Sequence, residues 1–506
     1  MTTVAVTHHQ MFIDGKGADS DSSYELRSPA TGEVVATIAK GSVDHLDAAV
    51  EAARRSFDAG VWSRLPHTER AAIMLKIADR LGAEQDDLIE LETMCNGATL
   101  RQAIAFHVGY AGPHFTYFAE RIAKYEWTKQ IPTSAFPTAS MNTVRRAPVG
   151  VVGAIVPFNF PLLLGLWKIA PALACGNSVV VKPDEKTPLS LLRLVQIASE
   201  CGLPNGVLNL VTGDGIDVGA RLASHPDVDK IAFTGSTAIG REIMKLAAGT
   251  VKKVSLELGG KGAQVVLPDA DLDIVADGAL FGCMLYSGQI CVSGTRLLVH
   301  ESIHDELVAK MVARVKTIKL GDPADFDTDM GPVISRKQRD KILGYLESGK
   351  AAGATAVVGG GLAEVEGFEN GHWIQPTIFT GVTNDMQIAR EEIFGPVLSV
   401  IKYSTVEEAI AIANDTEYGL SAGVWSTDLE EAGEVAQRLQ AGTIWVNNWH
   451  MLDVEMPFSG WKQSGVGGEL GPHSFDEYTI SQHVHVDLST KLERHVFDVL
   501  LSEPPE

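Results

Sequence analysis

Between about residues 43 and 125 the apolar positions recur three and four residues apart, as in "HLDAAVEAARRSF" and "TERAAIMLKIADRLGAEQDDLIELETMCNG", which predicts amphipathic helices. Thr68, followed by Glu69 and Arg70, is the predicted start of the second helix. The texture changes at 149. From there short, unbroken apolar runs ("VGVVGAIVPF", "NSVVVKP", "VLNLVTG", "KIAFTG", "KVSLELGG") alternate with helical stretches such as "SLLRLVQIASECG" and "STAIGREIMKLAAG". Runs without polar alternation predict strands buried on both faces, as in a parallel sheet covered by helices, so this part reads as a doubly wound α/β domain. A second series of the same kind after 260 predicts a second α/β domain of similar size. The intervening stretch 126–148 is rich in Pro, Thr and Ser and has no helical period; it reads as a linker or as an extended arm that pairs with another subunit.

Composition narrows the function classes. The 506 residues suggest roughly three domains of about 150 residues. With 64 Asp and Glu against 42 Lys and Arg, the net charge is -22. Such a surface repels phosphate backbones and anionic lipid, so neither a nucleic acid nor a membrane is an expected partner. The first residues lack a basic stretch followed by an apolar one, and no apolar run approaches the roughly eighteen residues of a membrane span, so a cytoplasmic location is expected. The five cysteines (Cys95, Cys175, Cys201, Cys283, Cys291) are odd in number and never spaced as CxxC, which suggests neither a disulfide framework nor a metal site.

Three segments carry candidate chemistry. In "YSGQICVSGTR" Cys291 sits among small, polar, glycine-flanked residues, a setting open to a nucleophile as well as to a packed thiol, whereas Cys283 in "GALFGCMLYS" reads as core. In "SLELGGKGAQ" Glu257 ends a buried strand just before two glycines. A carboxylate there is costly to desolvate, and strand ends of open α/β sheets are where ligands bind; a general base and a structural turn residue both fit. In "VPFNFPLLLGLWK" Asn159 follows another strand, and its amide either donates to a developing oxyanion or serves the turn before Pro161.

Two further junctions suit a dinucleotide. In "FTGSTAIG" a strand leads through Gly235 and Ser236 into a helix reaching Gly240, whose first N–H groups suit a pyrophosphate, although the spacing is not GxGxxG. In "VVVKPDEKTP" Lys182 suits a ribose hydroxyl or a phosphate, and Glu185 accepts from ribose hydroxyls and repels a 2'-phosphate, which favours NAD over NADP.

In this order and spacing "PFNFP", "KPDEKTP", "FTGS", "LELGGK", "GQIC", "EEIFGPV" and "PFSGWKQSG" resemble the aldehyde dehydrogenase superfamily, specifically its hydrolytic NAD(P)-dependent branch, over about residues 10 to 490. The resemblance implies that Cys291 attacks an aldehyde, that Asn159 and the Cys291 N–H hold the oxyanion, and that the thiohemiacetal gives hydride to the nicotinamide to leave a thioester. Glu257 then activates water to release the acid, and Lys168 and Glu469 match a proton relay from this base. Ile155, Phe158, Lys182, Glu185, Gly235, Ser236, Gly240, Leu258, Glu392 and Phe394 match the cofactor cleft; many relatives carry Trp where Phe158 stands. NAD is the implied cofactor, with NADP use left open.

The same resemblance implies a Rossmann-type cofactor domain (1–124 and 149–258), a catalytic domain (259–475), a β oligomerisation arm (125–148 and 476–490) and a C-terminal extension (491–506), assembled as a homodimer or homotetramer. Residues matching the substrate tunnel are Phe160, Leu163, Leu164, Trp167, Met284, Leu285, Trp449, His450, Leu452 and Phe458. This mostly apolar set suits a medium-chain aliphatic or aromatic aldehyde, with a trimethylammonium or amino aldehyde as the alternative. A CoA-acylating enzyme generally lacks a base at the position of Glu257, and a non-catalytic binding protein has no need of Cys291, Glu257 and Asn159 together.

Overall fold

The computed structural model describes residues 6–134, 139–488 and 499–501. Two α/β sheets and a small antiparallel arm make up its main layers.

The helical period between 43 and 125 is realised as Val43–Ala59, His67–Ala83, Gln85–Asn96 and Ala111–Lys124. Ser42 caps the first through its side chain, and Gly60 ends it in the left-handed conformation (φ 71°) that glycine adopts without a Cβ penalty. The second starts at His67, one residue before the expected Thr68, because Pro66 occupies the cap position and no side chain serves as cap. Between the third and the last of these helices, Ala103–Val108 forms a π-helix, which the apolar period did not predict.

The first sheet has eight strands. Its parallel core runs Lys253–Glu257, Lys230–Thr234, Val151–Ile155, Ser178–Lys182 and Leu208–Leu210 in spatial order. In chain order this is 5-4-1-2-3, so the winding reverses between Val151–Ile155 and Lys230–Thr234, and their carboxyl ends flank the crevice where open sheets of this kind take ligands. All residues of both strands are buried, as unbroken apolar runs require. The strand hairpin Met11–Ala18 extends one edge. The other edge is covered by Gly465–Val466, paired antiparallel with Leu256 and Glu257. The sequence boundaries assign 465–466 to the catalytic part, yet in the fold it belongs to this sheet.

The second sheet has seven strands, parallel except for Thr355–Val358 at one edge, with Ala263–Val266 next to Arg296–His300 at its centre. The segment expected to be a linker or arm is an arm: Thr128–Ser134, Ser140–Pro148 and Thr479–Asp487 form a three-stranded antiparallel sheet. A further small sheet of Thr7–His9, Ser23–Arg27 and Val34–Ala39 lay outside the predicted elements. No helix among the described residues is long and apolar enough to cross a membrane. Of the extension 491–506, all but 499–501 lies outside the described residues.

Candidate active site

Cys291 is one of the residues lining an apolar tunnel. The chain reaches it through Tyr286 and Ser287, both left-handed (φ 50° and 54°), a conformation that non-glycine residues hold only when neighbours fix it. Here the Tyr286 hydroxyl donates to the Asn96 carbonyl (2.8 Å) and the Ser287 hydroxyl to the Gly331 carbonyl (2.6 Å). The Gln289 side-chain oxygen accepts from the Ile334 N–H (2.9 Å). Cys291 is partly accessible, and its thiol is pushed up to about 12 by desolvation and then by the carboxylates of Glu392 and Glu257.

Asn159 is buried on the loop after the switch-point strand, and its Nδ2 donates to the Gln289 carbonyl (3.0 Å). A primary amide has two such protons, so one N–H remains for another acceptor. Glu257 ends its strand in register with Thr234. Its side chain is buried and neither oxygen has a partner. Desolvation first, and then the charge of Glu469, raises its carboxyl well above the usual range, against the opposing pull of Lys168. Lys168 Nζ donates to Thr234 Oγ1 and Glu469 Oε1, each at 2.6 Å, and Glu469 Oε2 is buried without a partner. The base candidate and the Lys168–Glu469 pair are thus buried close enough for their charges to act on one another.

The predicted cofactor residues gather at the sheet's switch point. Ile155 and Thr234 end adjacent strands, and Ser236 caps the helix Thr237–Ala248, its hydroxyl accepting from the Ile239 N–H (3.4 Å). The first turn of that helix presents backbone N–H groups to the crevice. At Gly240 a Cβ would stand 2.5 Å from Leu258 Cδ2, so the helix lies close on the strand end. Across the crevice Lys182 Nζ is 3.9 Å from Glu185 Oε2. Glu392 is half-buried against the turn after Glu257, its Oε1 accepting from the Gly260 N–H (3.0 Å), and a Cβ at Gly259 would stand 2.6 Å from its Oε2. Phe394, also left-handed (φ 59°), sets its ring edge-on to Phe158 at 5.8 Å. N–H groups at a helix start, a corner carrying Lys182 and Glu185, and the paired rings of Phe158 and Phe394 fit a dinucleotide.

Of the predicted tunnel residues, Phe160, Leu163, Leu164, Trp167, Leu285, His450, Leu452 and Phe458 line the passage to Cys291. Trp449 does not: it is sealed beneath the cysteine segment, its indole N–H donating to the Val292 carbonyl (2.8 Å) and its ring pressed on Gly282 and Gly423. Met284 faces a separate surface groove beside Asp277 and Arg314. Sequence reasoning missed Phe106, Tyr110 and His114, which complete the wall. Their spacing of four in "FHVGYAGPH" is the signal that one helical face points there. Burial pushes His450 down to about 3 and His114 down to about 4, so both imidazoles are neutral.

The aldehyde dehydrogenase family model matches residues 16–484. Betaine aldehyde dehydrogenase of Bacillus subtilis is 43% identical over 477 residues, covering 94% of this chain and 96% of that protein. Aldehyde dehydrogenase 1A1 of Mesocricetus auratus is 41% identical over 498 residues, 97% of each. Among solved structures, betaine aldehyde dehydrogenase from Staphylococcus aureus in complex with NAD+ superposes with a TM-score of 0.94 at 38% identity, covering 98% of this chain and 97% of that one.

Proposed function

This chain belongs to the aldehyde dehydrogenase family, and on that premise we propose that Cys291 is the nucleophile through which it oxidises an aldehyde to the carboxylic acid with NAD. The observation that carries this is the convergence of Cys291, Asn159 and the unpartnered carboxylate of Glu257 between the tunnel and the dinucleotide crevice.

The cofactor supplies the acceptor for the hydride. Gly235 and Ser236 would hold its pyrophosphate, Lys182 and Glu185 the adenosine ribose, and Glu392 and Phe394 the nicotinamide end, with Ile155, Phe158, Gly240 and Leu258 shaping the cleft. The Cys291 thiolate, its proton lost to solvent, adds to the aldehyde carbon, and the free Asn159 N–H and the Cys291 backbone N–H stabilise the alkoxide of the thiohemiacetal. After oxidation to the thioester, Glu257 removes a proton from water as it attacks, and Cys291 leaves as the acid is released. A carboxylate whose pKa is raised by burial is matched to that task near neutrality. Lys168 and Glu469 then carry the proton onward.

For the substrate, the rings of Phe106, Tyr110, Phe160, Trp167 and Phe458 around one tunnel favour an aldehyde bearing a trimethylammonium or amino group, held by cation–π attraction. The relation to two betaine aldehyde dehydrogenases supports the same choice. The lining has a second side: Leu163, Leu164, Leu285, Ile290 and Leu452 are aliphatic and no carboxylate is among the described residues that line the passage, which favours an uncharged medium-chain or aromatic aldehyde. NADH formation by wild type and Cys291→Ala, with NAD and NADP, on betaine aldehyde, aminoaldehydes, hexanal and benzaldehyde decides. Loss of turnover in the variant confirms the nucleophile. A tenfold or greater preference for hexanal over betaine aldehyde sinks the first substrate choice.

Among the described residues the strand Thr479–Asp487 is the outer one of the arm sheet, and it exposes Ile480, Val484 and Val486. We infer that it pairs with a second copy, giving a homodimer or a homotetramer built from two.

A further inference from the structure

Behind the tunnel wall lies a buried polar cluster that the reaction scheme does not use. Glu92, on the helix Gln85–Asn96, is fully buried and has four donors around it. Its Oε1 accepts from Ser190 Oγ (2.5 Å) and from the backbone N–H of Leu162 (3.3 Å). Its Oε2 accepts from Asn96 Nδ2 (2.9 Å) and from His107 Nδ1 (3.0 Å). A buried carboxylate is tolerated only when satisfied in this way.

Two of these contacts reach the site. Leu162 is in the first turn of the helix Pro161–Ala174, which begins directly after Asn159 and Phe160 and has no side-chain cap of its own. Glu92 is therefore the anionic cap of that helix, supplied from another segment. His107 stands on the π-helix Ala103–Val108, an insertion that re-aims a side chain. Its ring is wedged between Phe160 (centroids 4.3 Å apart) and Tyr286 (5.0 Å, edge-on). Phe160 adjoins Asn159, and Tyr286 is the first of the two left-handed residues leading to Cys291. Asn96 joins both ends, since its carbonyl receives the Tyr286 hydroxyl.

We propose that the Glu92–His107 pair is a positioning device: it sets the turn carrying Asn159 against the segment carrying Cys291, so that oxyanion donor and nucleophile stand in register. This rests on the reading of Cys291 and Asn159 given above. Neither Glu92 nor His107 lines the tunnel, and the effect of the pair falls on the step that needs both groups at once. Misplacement by about 1 Å is enough to cost up to about a hundredfold in such a step.

The test is pre-steady-state NADH formation by full-length His107→Phe, which keeps a ring on Phe160 and Tyr286 but cannot donate to Glu92, and by Glu92→Gln, alongside NAD affinity and thermal midpoint. The expected result is a rate of NADH appearance lowered about tenfold or more with NAD affinity within about twofold of wild type. A folded His107→Phe protein forming NADH within about twofold of the wild-type rate overturns the proposal, as does a fall matched by an equal loss of NAD affinity, which would mark general loosening. Where neither variant folds, Ser190→Ala, which removes one donor from Glu92, decides: a fall of about threefold or more supports the role and an unchanged rate overturns it. Cys291→Ala in the same series separates the two failures, because NADH formation persisting there would remove the underlying assignment of the site whatever His107 does.

Discussion

Lys168 Nζ lies 2.6 Å from Glu469 Oε1, and both side chains are sealed from solvent, although 301 residues of chain separate them. Burying two charges is costly, and removing one partner leaves the other unpaired in an apolar surround. Lys168→Ala is expected to destabilise the protein by about 3–5 kcal/mol, and the double variant Lys168→Met, Glu469→Leu to recover much of that loss while still turning over slowly. Denaturant midpoints for the two proteins, measured beside steady-state NADH formation, separate the stability effect from the proton-transfer effect.

Glu257→Gln is expected to form one NADH per site and then stall, with the steady rate down by about a hundredfold or more. The same substitution has a pH signature in stability. Because the folded pKa is raised, the folded protein holds a proton that the unfolded chain has released once pH exceeds the ordinary carboxylate range. Stability therefore falls as pH rises from about 4.3 through the folded pKa. The variant lacks that loss, so its unfolding midpoint should exceed that of the wild type at pH 8 and match it at pH 4, which differential scanning calorimetry reads directly.

With its thiol pushed up to about 12, Cys291 in the ligand-free protein should react slowly with iodoacetamide at pH 7 and about tenfold faster for each unit of pH up to 9. A flat profile across that range would mean the thiolate is already formed. Peptide mapping after labelling distinguishes Cys291 from Cys201, the other cysteine that is not fully buried.

Glu185 has 44% of its side-chain surface exposed beside Lys182 and Lys186 at the ribose corner. Glu185→Gln removes the charge that repels a 2'-phosphate, and the NAD to NADP ratio of kcat/KM is expected to drop by about tenfold. No gain in NADP use would show that discrimination lies elsewhere.

The strands Val151–Ile155, which leads to Asn159, and Lys230–Thr234 beside it were legible because burial on both faces leaves apolar runs, and Gly235 and Gly259 mark where Lys230–Thr234 and the Glu257 strand turn. The small sheet of residues 7–39 was not, because its strands are short, half-exposed and without clear alternation. Trp449 was misplaced for a physical reason: aromatic character alone does not tell a ring that faces a tunnel from one that supports its floor, and here the indole N–H is committed to the Val292 carbonyl. His107 gave no local sign, since its significance lies in contacts to Phe160 and Tyr286, 53 and 179 positions away in the chain.

The strand Gly465–Val466 closes the sheet edge at Leu256 and Glu257, and Glu469 follows Val466 by three residues. During synthesis the ribosome releases the first sheet long before this closing piece exists. The nascent chain must then carry an open β-edge, with Lys168 lacking its Glu469 partner, until nearly its whole length has emerged. A truncation upstream of 465 should therefore be prone to aggregate as well as inactive, and chaperone dependence should be confined to that late interval of translation.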